Sequence, residues 1–322
     1  MDYIVDLQGV LHSNIPGGSA LYAAGGLKCW ESRVGVVSKI QQDSSNEIFR
    51  YLAKYDLNSD GIIVDNIPFD HRNFLGYISE DEYKDENPVA FFASMGLPFP
   101  KSLEGYEKKD HSAEEGDAKD RYKILIARSL PIYTDAKAVH LCAFDLKTHI
   151  QLLSLIEKES PKTITLQPKK EYMNASNWES LPVLLKGLSA FIPTESQLLS
   201  LFKNRSQDLW EIAEYLCTLG CDSIVINNGH HGQYLYDGAS KKRYQIPAYP
   251  APLVDPTGMK DSFCGGFLAG LRRNYDSLEA VLFGNIAASF TGSGVGPFLV
   301  VNSLPGLAES RLKSLQGMVK CL

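Results

Sequence analysis

The sequence predicts an α/β protein built on a doubly wound, mainly parallel sheet. Short runs rich in Val and Ile alternate with longer amphipathic stretches, the pattern of βαβ units. The 322 residues are 44% hydrophobic, ample for a large core, and no linker or internal repeat divides them, so a single domain over 1–322 is expected. Periodicity leaves the strand order open.

In chain order, strands are expected at Tyr3–Asp6, Val34–Val37, Gly61–Val64, Ala138–Cys142, Thr163–Leu166, Ala190–Ile192 and Ser223–Ile226, where β-branched residues cluster. Helices are expected at Ala20–Cys29, Asn46–Tyr55, Leu146–Glu157, Ser196–Phe202, Gln207–Leu219, Asp261–Arg272, Ser277–Phe290 and Leu307–Met318. Residues 101–121, KSLEGYEKKDHSAEEGDAKDR, are the most polar stretch and predict a solvated loop or insertion.

The net charge of −6 and pI near 5.7 argue against a broad nucleic-acid or anionic-membrane surface. No apolar run reaches the ~18 residues of a membrane span, and the start, MDYIVDLQGV, has no signal-peptide pattern. A cytoplasmic protein is expected, as monomer or homodimer. The six cysteines are scattered through apolar segments and read as buried thiols; Gly220 is expected to end a helix between Cys217 and Cys221.

Chemistry concentrates at residues 255–270, DPTGMKDSFCGGFLAG. Gly258, Met259, Lys260 and Asp261 fall where a loop turns into a helix, whose first-turn N–H groups lack intrahelical partners and suit an anion. Phe263, Phe267 and Leu271 mark the apolar face, and Gly265, Gly266 and Gly270 leave room for close backbone packing. Asp261 can take a proton from an attacking hydroxyl, although an Asp read alone at this place is more often just a helix cap. Pro16-Gly17-Gly18-Ser19 is a second glycine-bearing junction before a helix, and SIVINNGHHGQYLYDG, residues 223–238, reads as strand, glycine loop and returning strand. His230 and His231 in that loop read as solvent-facing turn residues.

These motifs resemble the pfkB family, the ribokinase-like carbohydrate and nucleoside kinases, from about Asp6 to Gly296 in the family's order and spacing. The resemblance implies a ribokinase-like fold and phosphoryl transfer from ATP, with Mg²⁺, to a small-molecule hydroxyl acceptor such as a sugar, polyol or nucleoside. By the same resemblance Asp261 is the general base and residues 258–261 the anion hole. Asp6, Gly17, Gly18 and Ser19 line the acceptor pocket, and Asn227, Gly229, Gly232 and Asn285 the nucleotide side. Asp255 and its backbone help bind a monovalent cation.

Four departures stand out. Lys260 replaces a family glycine. The family's N-x-x-E motif, which organises magnesium's waters, falls on Thr194 and Gln197. Gln167 stands where many members carry aspartate. Few residues separate Asp6 from Gly17, which implies a reduced or absent β lid. The alternative is a kinase-fold protein that has lost or changed phosphoryl transfer and serves as a nucleotide- or ligand-binding or regulatory module, or catalyses a different reaction on a nucleotide.

Overall fold

The structure, a computed structural model, describes residues 1–65, 70, 72–108, 130–159 and 163–322. It opens with a hairpin of β1 (Asp2–Val5) and β2 (Leu11–Ile15), followed by α1 (Ser19–Lys28). β3 (Ser38–Gln41), α2 (Gln42–Lys54) and β4 (Ile62–Asp65) make a parallel βαβ unit. A second hairpin, β5 (Asn73–Tyr77) and β6 (Tyr83–Lys84), leads to α3 (Pro88–Ser94), which Asn87 caps by accepting from Ala90 N–H.

The remainder alternates strand and helix. β7 (Ala138–Leu141), α4 (Leu146–Glu159), β8 (Thr163–Leu166), α5 (Leu181–Leu185), β9 (Ala190–Phe191), α6 (Glu195–Leu201), α7 (Leu209–Thr218) and β10 (Ser223–Asn227) run first. β11 (Gln233–Asp237), β12 (Lys242–Ile246), α8 (Met259–Asn274), α9 (Ser277–Thr291), α10 (Leu307–Gln316) and β13 (Lys320–Cys321) complete the chain.

The main sheet has the order β13-β12-β11-β10-β9-β8-β7. β7 to β10 are parallel, and β10 to β13 continue antiparallel. Side-chain alternation along β10 shows why both faces are covered: Ile224 and Ile226 enter one apolar cluster with α4, α5, α6 and α7, while Val225 enters another with α8, α9 and α10. Each such fully buried side chain contributes about 1.5–3 kcal/mol. The doubly wound sheet predicted from sequence is therefore present.

On that second face α1 and α8 cross backbone against backbone. A Cβ added to Gly26 would meet Ser262 O at 1.9 Å, and one on Gly265 would meet Ala23 O at 1.8 Å. Gly266 and Gly270 make the same close approach to α9, at Phe283 O and Ala280 Cα. The small residues thus bring the N-termini of α1 and α8 together.

Several expectations need correction. Val34 and Val36 are buried in an extended segment, but only Gly35 makes an isolated bridge, to Asn58; ladder pairing starts at Ser38↔Ile62, so the strand lies four residues later than predicted. β1 does not join the main sheet. It forms a separate four-stranded sheet of order β2-β1-β5-β6, so the second sheet is not absent, although its strands have only two to five residues. Of the predicted polar loop, Lys101–Leu103 form a 3₁₀ turn, and residues 109–121 lie outside the described ones. Cys221 and Cys264 are buried and all six cysteines are free, but Cys321 is exposed. α7 does end between Cys217 and Cys221, with Gly220 at φ +101°.

Candidate active site

Gly258 caps α8 at φ +71°, and a Cβ there would lie 2.1 Å from the Tyr22 ring, so both dihedral and space demand glycine. Upstream, Asp255 Oδ1 accepts from Thr257 N–H at 2.9 Å, and Thr257 Oγ1 donates to Tyr77 Oη at 3.1 Å, pinning the loop to the small sheet. Met259 N–H donates to Pro256 O at 3.2 Å. This corrects the expectation for Met259: its amide belongs to the turn, and its sulfur packs against Gly292. Among the described residues the N–H groups of Gly258, Lys260 and Asp261 have no hydrogen-bond partner, which leaves three donors for an anion.

From the other side comes the start of α1. Gly18 precedes it at φ +95°, and Ser19 faces the Asp261 carboxylate. A Cβ on Gly17 would lie 1.8 Å from Asp2 Oδ2, so this glycine exists to admit the Asp2 carboxylate, which also receives Gly18 N–H and Asn73 Nδ2. Asp6 was expected in that place. Instead it is buried and organises the β1–β2 turn, accepting from Gln8 and Val10 N–H at 2.9 Å each and pairing with His12 Nε2 at 2.9 Å. Asp2 is thus the carboxylate at the glycine pair that sequence reading missed; the signal available was Asp2 and Asp6 bracketing one four-residue strand.

The electrostatics of this recess are unusual. Burial pushes Asp261 up to about 6; Ser19, Gln167 and the Lys260 charge pull it down, while Asp2 adds to the rise. Burial also raises Asp2 to about 6, with Asp255 adding to the rise. Asp255 is raised as well, chiefly by burial, and among the described residues its buried Oδ2 has no hydrogen-bond partner. Tyr22 Oη is likewise unpartnered beside these carboxylates. Gln167 faces both Asp261 and His140, and the buried His140 ring is pushed down to about 3, so it stays neutral behind the site. Lys260 is exposed, and among the described residues no ion pair within 4.0 Å joins it to Asp261.

The expected nucleotide side is arranged differently. Thr194 and Gln197 close on each other in a capping box at the start of α6: Gln197 N–H donates to Thr194 Oγ1 at 3.3 Å, and Thr194 N–H to Gln197 Oε1 at 2.8 Å. Gln197 Nε2 donates to Pro168 O at 3.0 Å. Asn227 Oδ1 accepts from Gly229 N–H at 3.1 Å, and a Cβ on Gly232 would meet Ile246 O at 2.1 Å. Asn228, unremarked in the sequence, donates to Glu195 Oε2 at 2.7 Å and ties the loop to α6. Asn285 accepts from Tyr249 N–H and donates to Gln233 Oε1 and Pro247 O, all at 2.8 Å, so it offers a ligand no free polar group.

With this geometry in view, the comparisons with known proteins decide the family. The sequence model of pfkB family carbohydrate kinases matches residues 113–298. This chain belongs to the pfkB family. The matched span includes α8 with Asp261 and leaves out the N-terminal residues that carry Asp2 and the Gly17-Gly18 pair.

A cytidine kinase of Thermococcus kodakarensis is 30% identical over 154 residues, 47% of this chain and 54% of that protein. A ribokinase of Staphylococcus aureus is 34% identical over 125 residues, 37% of this chain and 40% of its own. The alignments therefore span about half or less of these relatives. Among solved structures, a nucleoside kinase of Methanocaldococcus jannaschii superposes with TM-score 0.65 at 17% identity, covering 97% of this chain and 95% of that one. A ribokinase II-like protein of E. coli in complex with ATP and Mg²⁺ gives 0.67 at 16%, covering 95% and 91%. At these identities the superpositions establish the shared fold. Among the described residues no helix is long and apolar enough to cross a membrane.

Proposed function

We propose that the chain transfers a phosphoryl group from ATP to a hydroxyl of a sugar, polyol or nucleoside, with Asp261 as general base. The observation that carries this reading is the Asp261 carboxylate itself. It sits in the first turn of α8 beside the free amides of Gly258 and Lys260, and burial raises its pKa to about 6. A group with that pKa is ionised at neutral pH yet basic enough to accept a proton as the hydroxyl attacks. The acceptor oxygen bonds to the γ-phosphorus while the bond to the ADP oxygen breaks, and the hydroxyl proton goes to the carboxylate. The unpaired amides and the Lys260 charge stabilise negative charge on the moving group.

Asp2, set against Gly17 and Gly18, is assigned to the other hydroxyls of the acceptor, since a carboxylate accepts two such protons. The buried, unpartnered Asp255 Oδ2 suits a monovalent cation, which would offset charge beside the anion hole. Thr194 and Gln197 do not fit a magnesium role, because neither offers a free carboxylate; Mg²⁺ is assigned to the nucleotide phosphates. The same closed capping box favours a second reading, a nucleotide-binding module without transfer.

The deciding experiment measures ADP release against a panel of sugars, polyols and nucleosides, with ATP affinity measured in parallel. Acceptor-dependent ADP release supports the kinase. ATP binding without acceptor-dependent release across the panel supports the second reading.

A further inference from the structure

We propose that Asp81, His230 and His231 form a binding site for a divalent transition metal such as Zn²⁺, which clasps the small sheet to the 229–232 loop of the main sheet. The three side chains come from segments about 150 residues apart in sequence, yet one ligand atom of each lies within 4.8 Å of the others. His230 Nδ1 is 3.5 Å from Asp81 Oδ1, and the two imidazole rings are adjacent, with centroids 3.8 Å apart. Donor atoms around a tetrahedral zinc ion with bonds of about 2.0–2.1 Å stand roughly 3.3 Å from one another, so the cluster needs only a small contraction. Two imidazoles and one carboxylate are a borderline-soft donor set, suited to Zn²⁺ and Co²⁺ rather than Mg²⁺. Glu80 Oε2, 3.7 Å from His230 Nδ1, adds negative charge beside the site.

Both supports are already shaped. Asp81 rides on the β5–β6 turn, closed by Ile78 N–H to Glu82 O at 2.8 Å and by Ser79 N–H to the same oxygen at 3.1 Å. The histidines ride on a single 3₁₀ turn between Gly229 and Gly232, whose φ values of +57° and +91° hold the bend. Binding therefore orders few new groups, which keeps its entropic cost low. Neither histidine is engaged by the Asp261 site. An ion here would join two sheets that carry opposite walls of that site.

The test uses the full chain and Co²⁺ as a spectroscopic stand-in for Zn²⁺, so it does not depend on any catalytic activity. One Co²⁺ per chain is expected to bind in the micromolar range with the visible absorption of a low-coordinate nitrogen and oxygen site, displaced by Zn²⁺. His231→Ala and Asp81→Asn are each expected to weaken binding by at least about tenfold, and both proteins should keep their thermal midpoint without metal, since the side chains are exposed. Metal should also slow hydrogen exchange at residues 78–82 in the wild type and not in the variants. Binding only at millimolar Co²⁺, binding unchanged in both variants, or a thiolate-to-cobalt band showing that cysteines hold the metal would each overturn the proposal.

Discussion

The polar groups at the N-terminus of α8 and those around α6, the 229–232 loop and α9 differ in one respect: whether their hydrogen bonding is complete. Around α8, Asp255 Oδ2 and Tyr22 Oη have no partner among the described residues, and three carboxylates are held at raised pKa. Around α6 and α9, Thr194, Gln197, Asn227 and Asn285 each bond a protein neighbour. Buried polar groups left incomplete are costly, so their concentration at one place marks where a ligand completes them. The saturated region positions backbone.

The sharpest break of this contrast is Asp261→Asn. Turnover should fall by roughly 10²–10⁴-fold, as for loss of a general base, with ATP affinity within a few-fold of wild type. A variant that keeps near-normal turnover would remove Asp261 from the mechanism. The same substitution sharpens the contrast through stability. Asp261 has a folded pKa of about 6 against an ordinary 3.8, so its ionised form opposes folding. Stability from this group is full below about 3.8 and lost as pH rises through 6. Asp261→Asn should therefore raise the thermal midpoint at pH 8, with the gain shrinking by pH 4; a gain that is independent of pH would contradict the raised pKa.

On the saturated side, Asn285→Ala should cost about 3 kcal/mol, because one truncation strips partners from Tyr249 N–H, Gln233 and Pro247 O. Denaturant unfolding measures this. A large rise in the KM for ATP with stability intact would instead place Asn285 in direct contact with nucleotide.

Gly17→Ala and Lys260→Gly should have smaller effects. The alanine methyl would collide with Asp2 Oδ2, so kcat/KM for the acceptor should drop about tenfold, or ~1.4 kcal/mol, while the KM for ATP stays put; equal loss for both substrates would mean that the loop simply deforms. Removing the Lys260 charge lifts a restraint on Asp261, so the acid limb of the pH–rate profile should start near 6 in the wild type and move upward in the variant, with a drop in rate of about tenfold. An unmoved limb would show that another group titrates. The smallest change is expected for Gln197→Glu: the capping oxygen is kept, only the donor to Pro168 O is lost, and the Mg²⁺ dependence should not change.

Much of this was legible in the sequence. β-Branched runs located β8 and β10, and the glycines of α8 announced close backbone packing without naming its partners, because close helix crossing leaves so few residue choices. The place of Asp261 in the first turn of α8 was legible too, because a glycine-bearing loop that turns into a helix has a short, ordered signature. What escaped was long-range pairing. The small sheet joins β1 to β5 across some seventy residues, and nothing local to Asp2–Val5 says which sheet it enters. Asp6 misled because an acidic residue after a strand can face a ligand or close a turn, and the choice is set by His12 and two amides. Asn285 and Gln197 look alike in sequence whether their amides are free or engaged.

The crossing of α1 on α8 has a mechanical consequence. With Gly26 against Ser262 O and Gly265 against Ala23 O there is no compressible side-chain layer between the two helices, so they behave as a single stiff plate. Ser19 and Asp261 ride on that plate and cannot drift apart by side-chain relaxation. The small sheet reaches the plate through the Thr257–Tyr77 hydroxyl contact and the Asp2–Gly17 junction, so a shift of that sheet would pass to Ser19 and Asp261 through those two points. An alanine at Gly265 would act as a shim, tilting one helix against the other and misaligning Ser19 and Asp261, which lie about one turn away and which it never touches.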